Sequence, residues 1–324
     1  MTDHRKKAAI IGGGVIGGGW AARFLLHGWD VALFDPSPSA LRRVHQVIER
    51  AREAIWELYD ADVPVEGKLS VSSTLSDAVA DADWIQESTP ERLDIKHHCI
   101  ADIEAAASNT STIIASSTSG FRPSQLNQNA IAPERIIVAH PFNPVYLIPL
   151  VELVGNARTI ARAKPTLKRL GMKPLHVRKE IDAHIADRLL EAVWREALWL
   201  VHDDVATTEE IDDAIRYGFG LRWAQMGLFE TYRIAGGDAG MAHFLEQFGP
   251  ALKWPWTKLM DVPDLNDTLV EKIASQSEAQ SGQHSISELE ATRDRNLIAI
   301  QKALAAENHG AGMLLNQRKK EQPD

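Results

Sequence analysis

The stretch "AAIIGGGVIGGGW", residues 8–20, decides the fold of this chain. Its apolar start has the composition of a buried strand, and the glycines that follow match the spacing G-x-G-x-x-G. In this pattern the first glycine permits a tight turn, the second lets a pyrophosphate approach the backbone, and the third lets a helix pack against the strand. A second match starts at Gly17, five residues later, where the helix should already be running. The stretch therefore predicts a dinucleotide site formed by Gly12, Gly14, Val15, Ile16 and Gly17.

The next predicted strand, residues 30–35, ends in Asp35, 18 residues after Gly17. An acidic side chain at this strand end can accept hydrogen bonds from the ribose hydroxyls, and it repels a 2′-phosphate. A lone glycine triplet could also be a flexible turn, but the flanking strand, the following helix and Asp35 together favour the nucleotide site. The sequence therefore predicts NAD rather than NADP as the cofactor.

The first half of the chain alternates short β-rich runs with amphipathic helical stretches. This rhythm is typical of βαβ units and predicts an α/β fold with a Rossmann-type, doubly wound, mostly parallel sheet. The predicted strands are residues 7–12, 30–35, 69–74, 84–89, 112–116, 135–140, 150–155 and 175–179.

After about residue 180 the apolar residues recur with the 3.6-residue spacing of a helix. Thr207 and Glu210 predict a capping box at the start of one helix, and Gly218 predicts a C-cap at its end. The charged stretch 316–324 is expected to be a disordered tail. We therefore predict an NAD-binding Rossmann domain at 1–180, followed by an all-α C-terminal domain at 181–324.

Bulk composition argues against several kinds of protein. The 324 residues are 44% hydrophobic and 24% charged, as in soluble globular proteins, and the net charge of −9 argues against a nucleic-acid binder. No apolar run approaches the ~20 residues needed to cross a bilayer. The cysteine spacing of a zinc site is absent, and the single cysteine, Cys99, fits a reducing cytosol. We expect a cytoplasmic protein that binds a small molecule and no metal, membrane or nucleic acid.

Polar side chains follow two neighbouring predicted strands. The hydroxyl-rich run "ASSTSG", residues 115–120, follows one strand, and His140 ends the next. Both lie at carboxyl ends of strands, which is where a doubly wound sheet binds its ligands. An NAD-dependent dehydrogenase needs a base for a hydroxyl proton and a polar group for the substrate oxygen. Glu152 could hydrogen-bond one imidazole nitrogen of His140 and leave the other free to take a proton.

These motifs resemble the short-chain L-3-hydroxyacyl-CoA dehydrogenase family and its relatives that oxidise free hydroxy acids. The resemblance covers residues 5–240 and is carried by the stretches "GGGVIG", "ESTPERLDIK", "ASSTSG", "HPFNPVYLIPLVELV" and "ADRLL". It implies an NAD-dependent enzyme whose helical domain binds substrate and forms a homodimer.

The resemblance also implies roles for single residues. The family's catalytic His and Glu, twelve residues apart, fall on His140 as general base and Glu152 as its orienting partner. Its serine falls on Ser119, expected to donate a hydrogen bond to the substrate oxygen. Its Glu and Lys, expected to line the cofactor and substrate site, fall on Glu91 and Lys96. The matched stretch after His140 adds Asn143 as a substrate-binding residue.

The chain departs from the family pattern at two positions. Asp187 stands where the family usually has Asn, so it is either protonated or its charge serves a different substrate. Arg222 resembles members that oxidise small free acids, because an arginine can bind a carboxylate through two parallel hydrogen bonds. A thioester offers no such anion.

The aromatic residues of the second half could hold a quaternary ammonium group, although each could instead belong to a core or a dimer interface. They are Trp223, Phe229, Tyr232, Trp254 and Trp256. With Arg222 and Asp187 they suit a zwitterionic 3-hydroxy acid, and the stretch 253–282 resembles family members that act on L-carnitine. The expected reaction is oxidation of the C3 hydroxyl of L-carnitine to 3-dehydrocarnitine.

Three alternatives remain open from the sequence. The substrate could be another small free 3-hydroxy acid, gulonate-like or 3-hydroxybutyrate-like, or it could be a 3-hydroxyacyl-CoA. The chain could also be a dinucleotide-binding structural protein that has lost catalysis. The full set of Ser119, His140 and Glu152 argues against that last alternative.

Overall fold

The computed structural model describes residues 5–60, 62–224, 227–235, 240–248, 250, 264 and 266–321. The chain divides into two compact units. Within the described residues, the first unit runs to Ile185 and also includes 294–303 and the segment from Leu314 onward. The second unit comprises 186–293 and 304–313.

An eight-stranded sheet forms the centre of the first unit. Its strands follow the spatial order β3-β2-β1-β4-β5-β6-β7-β8, and only β6 and β7 pair antiparallel. The order reverses direction between β1 and β4, as in a doubly wound sheet. The predicted mostly parallel sheet is therefore confirmed. The strands are β1 Lys7–Ile11, β2 Asp30–Phe34, β3 Leu69–Val71, β4 Trp84–Glu87, β5 Ile113–Ser116, β6 Ile136–Pro141, β7 Leu150–Gly155 and β8 Lys173–His176.

Six helices connect these strands. In α2 the buried residues Val44, Ile48 and Ile55 recur at helical spacing, and this apolar face packs toward the core while charged residues face solvent. The helices are α1 Val15–Leu25, α2 Pro38–Leu58, α3 Leu75–Val79, α4 Leu93–Ala106, α5 Pro123–Leu126 and α6 Ala157–Arg169.

The rest of the described chain is helical. Its helices are α7 Ala186–His202, α8 Thr208–Ala214, α9 Gly220–Trp223, α10 Gly227–Ala235, α11 Gly240–Phe248, α12 Asp267–Ser281, α13 Ile286–Ala306 and α14 Gly312–Glu321. The predicted all-α second half is thus confirmed for these residues. No helix among the described residues is long and apolar enough to cross a bilayer.

The capping box predicted before α8 is present. The Thr207 side chain accepts from Glu210 N at 3.2 Å, and the Glu210 carboxylate accepts from Thr207 N at 2.8 Å. Gly218 does not form the predicted C-cap. It lies in a five-residue π-helical segment, 215–219, with φ −109° and ψ −116°, because the chain turns directly into α9.

The C-terminal segment differs from the expected disordered tail. Residues 312–321 form α14, which buries Leu315. The Arg318 guanidinium lies 3.9 Å from the centre of the Tyr59 ring, and its Nη2 donates to Asp62 O at 2.7 Å. The charged composition of this stretch gave no sign of these packing contacts. The domain boundary predicted at residue 180 therefore placed this helix in the second domain, whereas in the structure it belongs to the first unit from Leu314 onward.

Candidate active site

The glycine turn after β1 has the geometry that its spacing predicts. Gly12 has a φ of +103°, a conformation that side chains disfavour. A Cβ atom at Gly17 would lie 1.8 Å from Gly12 O, so only glycine allows this approach of α1 to the strand. A Cβ atom at Gly14 would meet nothing within 4 Å. The backbone at the start of α1 is therefore open, and no side chain caps it, as a helix N-terminus that receives an anion requires.

Asp35 lies beside this turn, directly after β2. Its Oδ2 accepts from Gly13 N at 2.6 Å, and its Oδ1 accepts from Ser37 N at 2.7 Å. Two backbone donors thus fix a half-buried carboxylate next to the open backbone. The turn and the carboxylate together fit a dinucleotide, and the selection of NAD by Asp35 stays a prediction.

His140 and Glu152 form a hydrogen-bonded pair. They are directly opposite each other in the antiparallel pairing of β6 with β7, so both side chains point to the same face of the sheet. Nδ1 of His140 lies 3.0 Å from Glu152 Oε2, and Oε1 accepts from Ile185 N at 3.0 Å. Glu152 is fully buried, and His140 is 6% exposed. The imidazole is thus fixed by Glu152 through Nδ1.

A cavity of about 270 Å³ brings five predicted site residues together. These are Ile16, Glu91, Lys96, Ser119 and His140. The structure adds Ser88, Thr89, Ser117 and Pro141 to its lining.

Lys96 lies within a buried ionic cluster. It is 1% exposed, and its Nζ lies 3.0 Å from the fully buried Glu87 and 3.3 Å from Glu91. Sequence reasoning missed Glu87. Its position at the carboxyl end of β4 was the available signal, because a carboxylate there can be buried only with a partner.

Glu91 connects this cluster to the turn formed by residues 118–120, here called the Ser119 turn. Its Oε1 accepts from the Thr118 hydroxyl, from Ser119 N at 3.2 Å and from Gly120 N at 3.0 Å. Burial raises the pKa of Glu91, but the donors from Thr118 and Gly120 and the charge of Lys96 outweigh it, so the net pKa is lowered. An ionised Glu91 therefore holds the backbone on both sides of Ser119.

His184 is a second residue that sequence reasoning missed. It is fully buried, and its ring centre lies 5.6 Å from that of His140. It stands in the stretch "AHIADRLL", whose apolar spacing indicated only a helix. Nothing in that pattern distinguishes a buried histidine before the helix from an exposed one.

The remaining predicted residues are not in this cavity. Asn143 is exposed in the loop after β6. Asp187 is half-buried in the first turn of α7. Arg222 is exposed on α9 beside Trp223, which is 38% exposed. On α10, Phe229 and Tyr232 are 74% and 38% exposed.

Apart from Asn143, these residues belong to the second unit, so their proximity to His140 stays a prediction. Trp254 and Trp256, also considered for the ammonium group, lie outside the described residues.

The doubly wound sheet and the glycine turn place the chain in the class of Rossmann-type dinucleotide-binding proteins. Residues 7–181 match the 3-hydroxyacyl-CoA dehydrogenase NAD binding domain, and residues 184–275 match the C-terminal domain of the same family. The chain belongs to the 3-hydroxyacyl-CoA dehydrogenase family, and its cofactor is NAD.

Several relatives are closely similar in sequence. An L-carnitine dehydrogenase/betainyl-CoA thioesterase from Ruegeria pomeroyi is 62% identical over 313 residues, covering 95% of this chain and 64% of that protein. A protein of the same name from Agrobacterium fabrum is 64% identical over 306 residues, covering 94% and 63%. An L-carnitine dehydrogenase from a Pseudomonas species is 52% identical over 321 residues, covering 98% and 99%. The chain thus spans somewhat under two thirds of the first two relatives and nearly all of the third.

Solved structures share the fold. The crystal structure of 5-formyl-3-hydroxy-2-methylpyridine 4-carboxylic acid 5-dehydrogenase, an NAD⁺-dependent dismutase, aligns with a TM-score of 0.77 and 26% identity, covering 93% of this chain and 99% of that one. A 3-hydroxyacyl-CoA dehydrogenase from Archaeoglobus fulgidus aligns with a TM-score of 0.59 and 22% identity, covering 84% and 87%.

Proposed function

We propose that the protein oxidises the C3 hydroxyl of L-carnitine to 3-dehydrocarnitine with NAD. The observation that carries the proposed chemistry is the buried His140–Glu152 pair, whose imidazole lines a cavity together with Ser119. The substrate is supported by the relatives that are 50–64% identical and named L-carnitine dehydrogenases.

His140 is the general base of the proposed reaction. Glu152 accepts the Nδ1 hydrogen, so the lone pair on Nε2 takes the proton of the substrate hydroxyl. The imidazolium that results is stabilised by the adjacent carboxylate. NAD, when bound, supplies the acceptor for the hydride that leaves C3.

Ser119 holds the substrate oxygen in this proposal. Its hydroxyl donates a hydrogen bond to the oxygen as it becomes a carbonyl, which stabilises the developing charge. Glu91 fixes the backbone of the Ser119 turn, and Lys96 fixes Glu91, so both act by positioning.

The charged ends of the zwitterion are assigned to the second unit. Arg222 is exposed, and among the described residues no hydrogen bond or ion pair engages its side chain, which leaves the guanidinium available to a carboxylate. Trp223, Phe229 and Tyr232 offer partly exposed aromatic rings for the trimethylammonium group, and Asp187 lies half-buried at the start of α7 as a further candidate.

The substrate is tested by comparing NADH formation with L-carnitine, 3-hydroxybutyrate and a 3-hydroxyacyl-CoA. L-Carnitine should give the highest kcat/KM, and a higher value for the thioester would refute the assignment. Arg222→Ala should raise KM for L-carnitine by about tenfold or more while KM for NAD stays within about twofold. Equal effects on both constants would assign Arg222 a folding role instead.

We also propose that the protein is a homodimer and that it is located in the cytoplasm. Large apolar side chains of α7 are exposed on the chain, with Leu189, Leu190 and Trp194 at 58%, 59% and 57%, and such a patch suits a subunit interface. The buried, unpaired thiol of Cys99 is compatible with a reducing compartment. Light scattering during size exclusion should give twice the 35.8 kDa chain mass, and a monomer at micromolar concentration would contradict the interface.

A further inference from the structure

Residues 183 and 184 contact carbonyl groups of the Ser119 turn, whereas Glu91 contacts its hydrogen-bond donors. Ala183 N donates to Gly120 O at 3.3 Å, and Nε2 of His184 lies 3.4 Å from Thr118 O. A carbonyl oxygen only accepts, so Nε2 carries the hydrogen in this contact. The turn that presents Ser119 is therefore fixed through its carbonyl groups as well as through its donors.

The same segment also reaches the catalytic pair. Directly after His184, Ile185 N donates to Glu152 Oε1, whereas Nδ1 of His140 contacts Oε2 of the same carboxylate. Three consecutive residues thus contact both the proposed oxygen-binding serine turn and the carboxylate that orients the proposed base.

The backbone of this segment is strained. Ala183 and His184 have φ values of +57° and +51°, the left-handed region that side chains disfavour. Two such residues in succession persist only where surrounding contacts hold them, and strain of this kind concentrates at functional sites. The contacts of Ala183 and Ile185 with the site are the interactions that hold it.

The side chain of His184 is placed to couple the two halves of the site. It is fully buried, and it contacts both the His140 ring and the Thr118 carbonyl. Its removal would free both the serine turn and the catalytic imidazole to shift.

We propose that His184 is a positioning residue for the dehydrogenation, fixing the distance between Ser119 and His140 so that both reach one substrate oxygen. The proposal deepens the proposed function and rests on the roles given there to these two residues. A donor and a base on one oxygen work only when both are in place, and a displacement of about 1 Å costs about 100-fold in rate.

Two substitutions separate the hydrogen bond from the bulk of the ring. His184→Gln places an amide N–H near the position of Nε2, whereas His184→Phe keeps a ring of similar size that cannot donate. His184→Phe should lower kcat about 100-fold, with KM for the hydroxy acid and Kd for NADH within about twofold of the wild type. His184→Gln should restore kcat to within about tenfold of the wild type.

The matched control is His98→Phe, because His98 is an exposed histidine on α4 with 83% side-chain exposure. It should leave kcat unchanged. A kcat for His184→Phe within threefold of the wild type would overturn the proposal. So would a rise in KM alone, or a loss of NADH affinity as large as the loss of kcat.

Different measurements test the proposed function and the role of His184. The wild-type rate with L-carnitine tests the function, whereas the variant-to-wild-type ratio tests His184 with whichever 3-hydroxy acid the wild type oxidises fastest. If L-carnitine is not oxidised, the proposed substrate fails, but the variant-to-wild-type ratio of kcat still decides the role of His184.

Discussion

At the scale of single residues, the candidate site depends on buried carboxylates that are each matched by donors. Glu152 accepts from His140 and Ile185, and Glu87 accepts from Lys96. A buried carboxylate without partners is strongly unfavourable, so removing the donor from either pair should destabilise the protein.

Replacing Glu152 by Gln should reduce both activity and stability. The carboxylate uses one oxygen for His140 and the other for Ile185 N, but an amide has a single acceptor oxygen and turns its NH₂ toward one of these donors. We expect kcat to fall by about 100-fold or more and the free energy of unfolding to fall by about 1–3 kcal/mol.

Steady-state kinetics and urea denaturation measure these two effects. The exposed Glu134, two residues before β6, supplies the control, and Glu134→Gln should change neither. An unchanged kcat in Glu152→Gln would exclude Glu152 as the partner of the base.

Glu91 should make the stability of the protein sensitive to acid. Its pKa in the folded protein lies below its ordinary value of 4.5, so its contribution is fully present above that value and is lost as the pH falls through the folded pKa. Glu91 is 43% exposed, and solvent screening limits the contribution to about 1 kcal/mol. The difference in unfolding free energy between wild type and Glu91→Gln should be largest at pH 7 and should shrink by pH 3.5. A difference that grows in acid would contradict this assignment.

The glycine turn and Asp35 were predictable because each is defined by spacing along the chain, and the His140–Glu152 pair was implied by the family resemblance. Thr118 and His184 were not predictable, because their importance comes from contacts made in three dimensions, whereas Glu87 was missed although its position at the end of β4 was a signal. Lys96 lies nine residues from Glu87, but His184 lies 66 residues from Thr118, and no local pattern connects the latter two.

At the scale of elements, the junction of β1 with α1 offers a matched pair of substitutions. Gly17→Ala would place its methyl group against Gly12 O, at 1.8 Å before relaxation, and should lower the free energy of unfolding by about 3 kcal/mol. Gly14→Ala meets nothing within 4 Å. It should leave stability unchanged but weaken NAD binding, because the methyl group occupies the space that a pyrophosphate would approach.

Thermal unfolding and NADH fluorescence titration distinguish the two variants. Equal loss of stability in both would show that the turn tolerates no side chain at either position. Unchanged NADH affinity in Gly14→Ala would place the pyrophosphate elsewhere.

Most strands were predicted within one or two residues at each end because they are buried, apolar runs. The last strand was placed at 175–179 but begins at Lys173, whose charge and the following Pro174 weakened the strand signal. The helix α14 was missed because its sequence contains four charged residues and only two leucines.

At the scale of the whole molecule, the first unit is assembled from three separate segments of chain. Tyr146 donates from its hydroxyl to Asp294 at 2.5 Å, and Gln301 donates to Leu147 O at 3.2 Å. Residues from the C-terminal part of the chain therefore complete the packing beside the loop that links β6 to β7. Sequence reasoning could not anticipate this arrangement, because the contacts join residues about 150 apart.

Removing the Tyr146 hydroxyl should weaken this assembly. Tyr146→Phe keeps the ring but deprives the buried Asp294 of a donor, so the free energy of unfolding should fall by about 1–3 kcal/mol. Chemical denaturation measures the loss. Tyr217→Phe, at a residue that is 76% exposed, is the control and should have no effect. An equal effect of both substitutions would argue against a specific role of the Asp294 contact.

The direct pairing of His140 with Glu152 has a consequence for how enzymes of this architecture can be re-engineered. The two side chains stay together because of strand register, whereas the loop at 142–149 carries Tyr146 and Leu147, which bond to the C-terminal segments. Grafting a loop that keeps these two residues could therefore change substrate preference without disturbing the proposed proton transfer. A single-residue insertion inside either strand would instead turn one partner to the other face of the sheet and should abolish the proposed proton transfer.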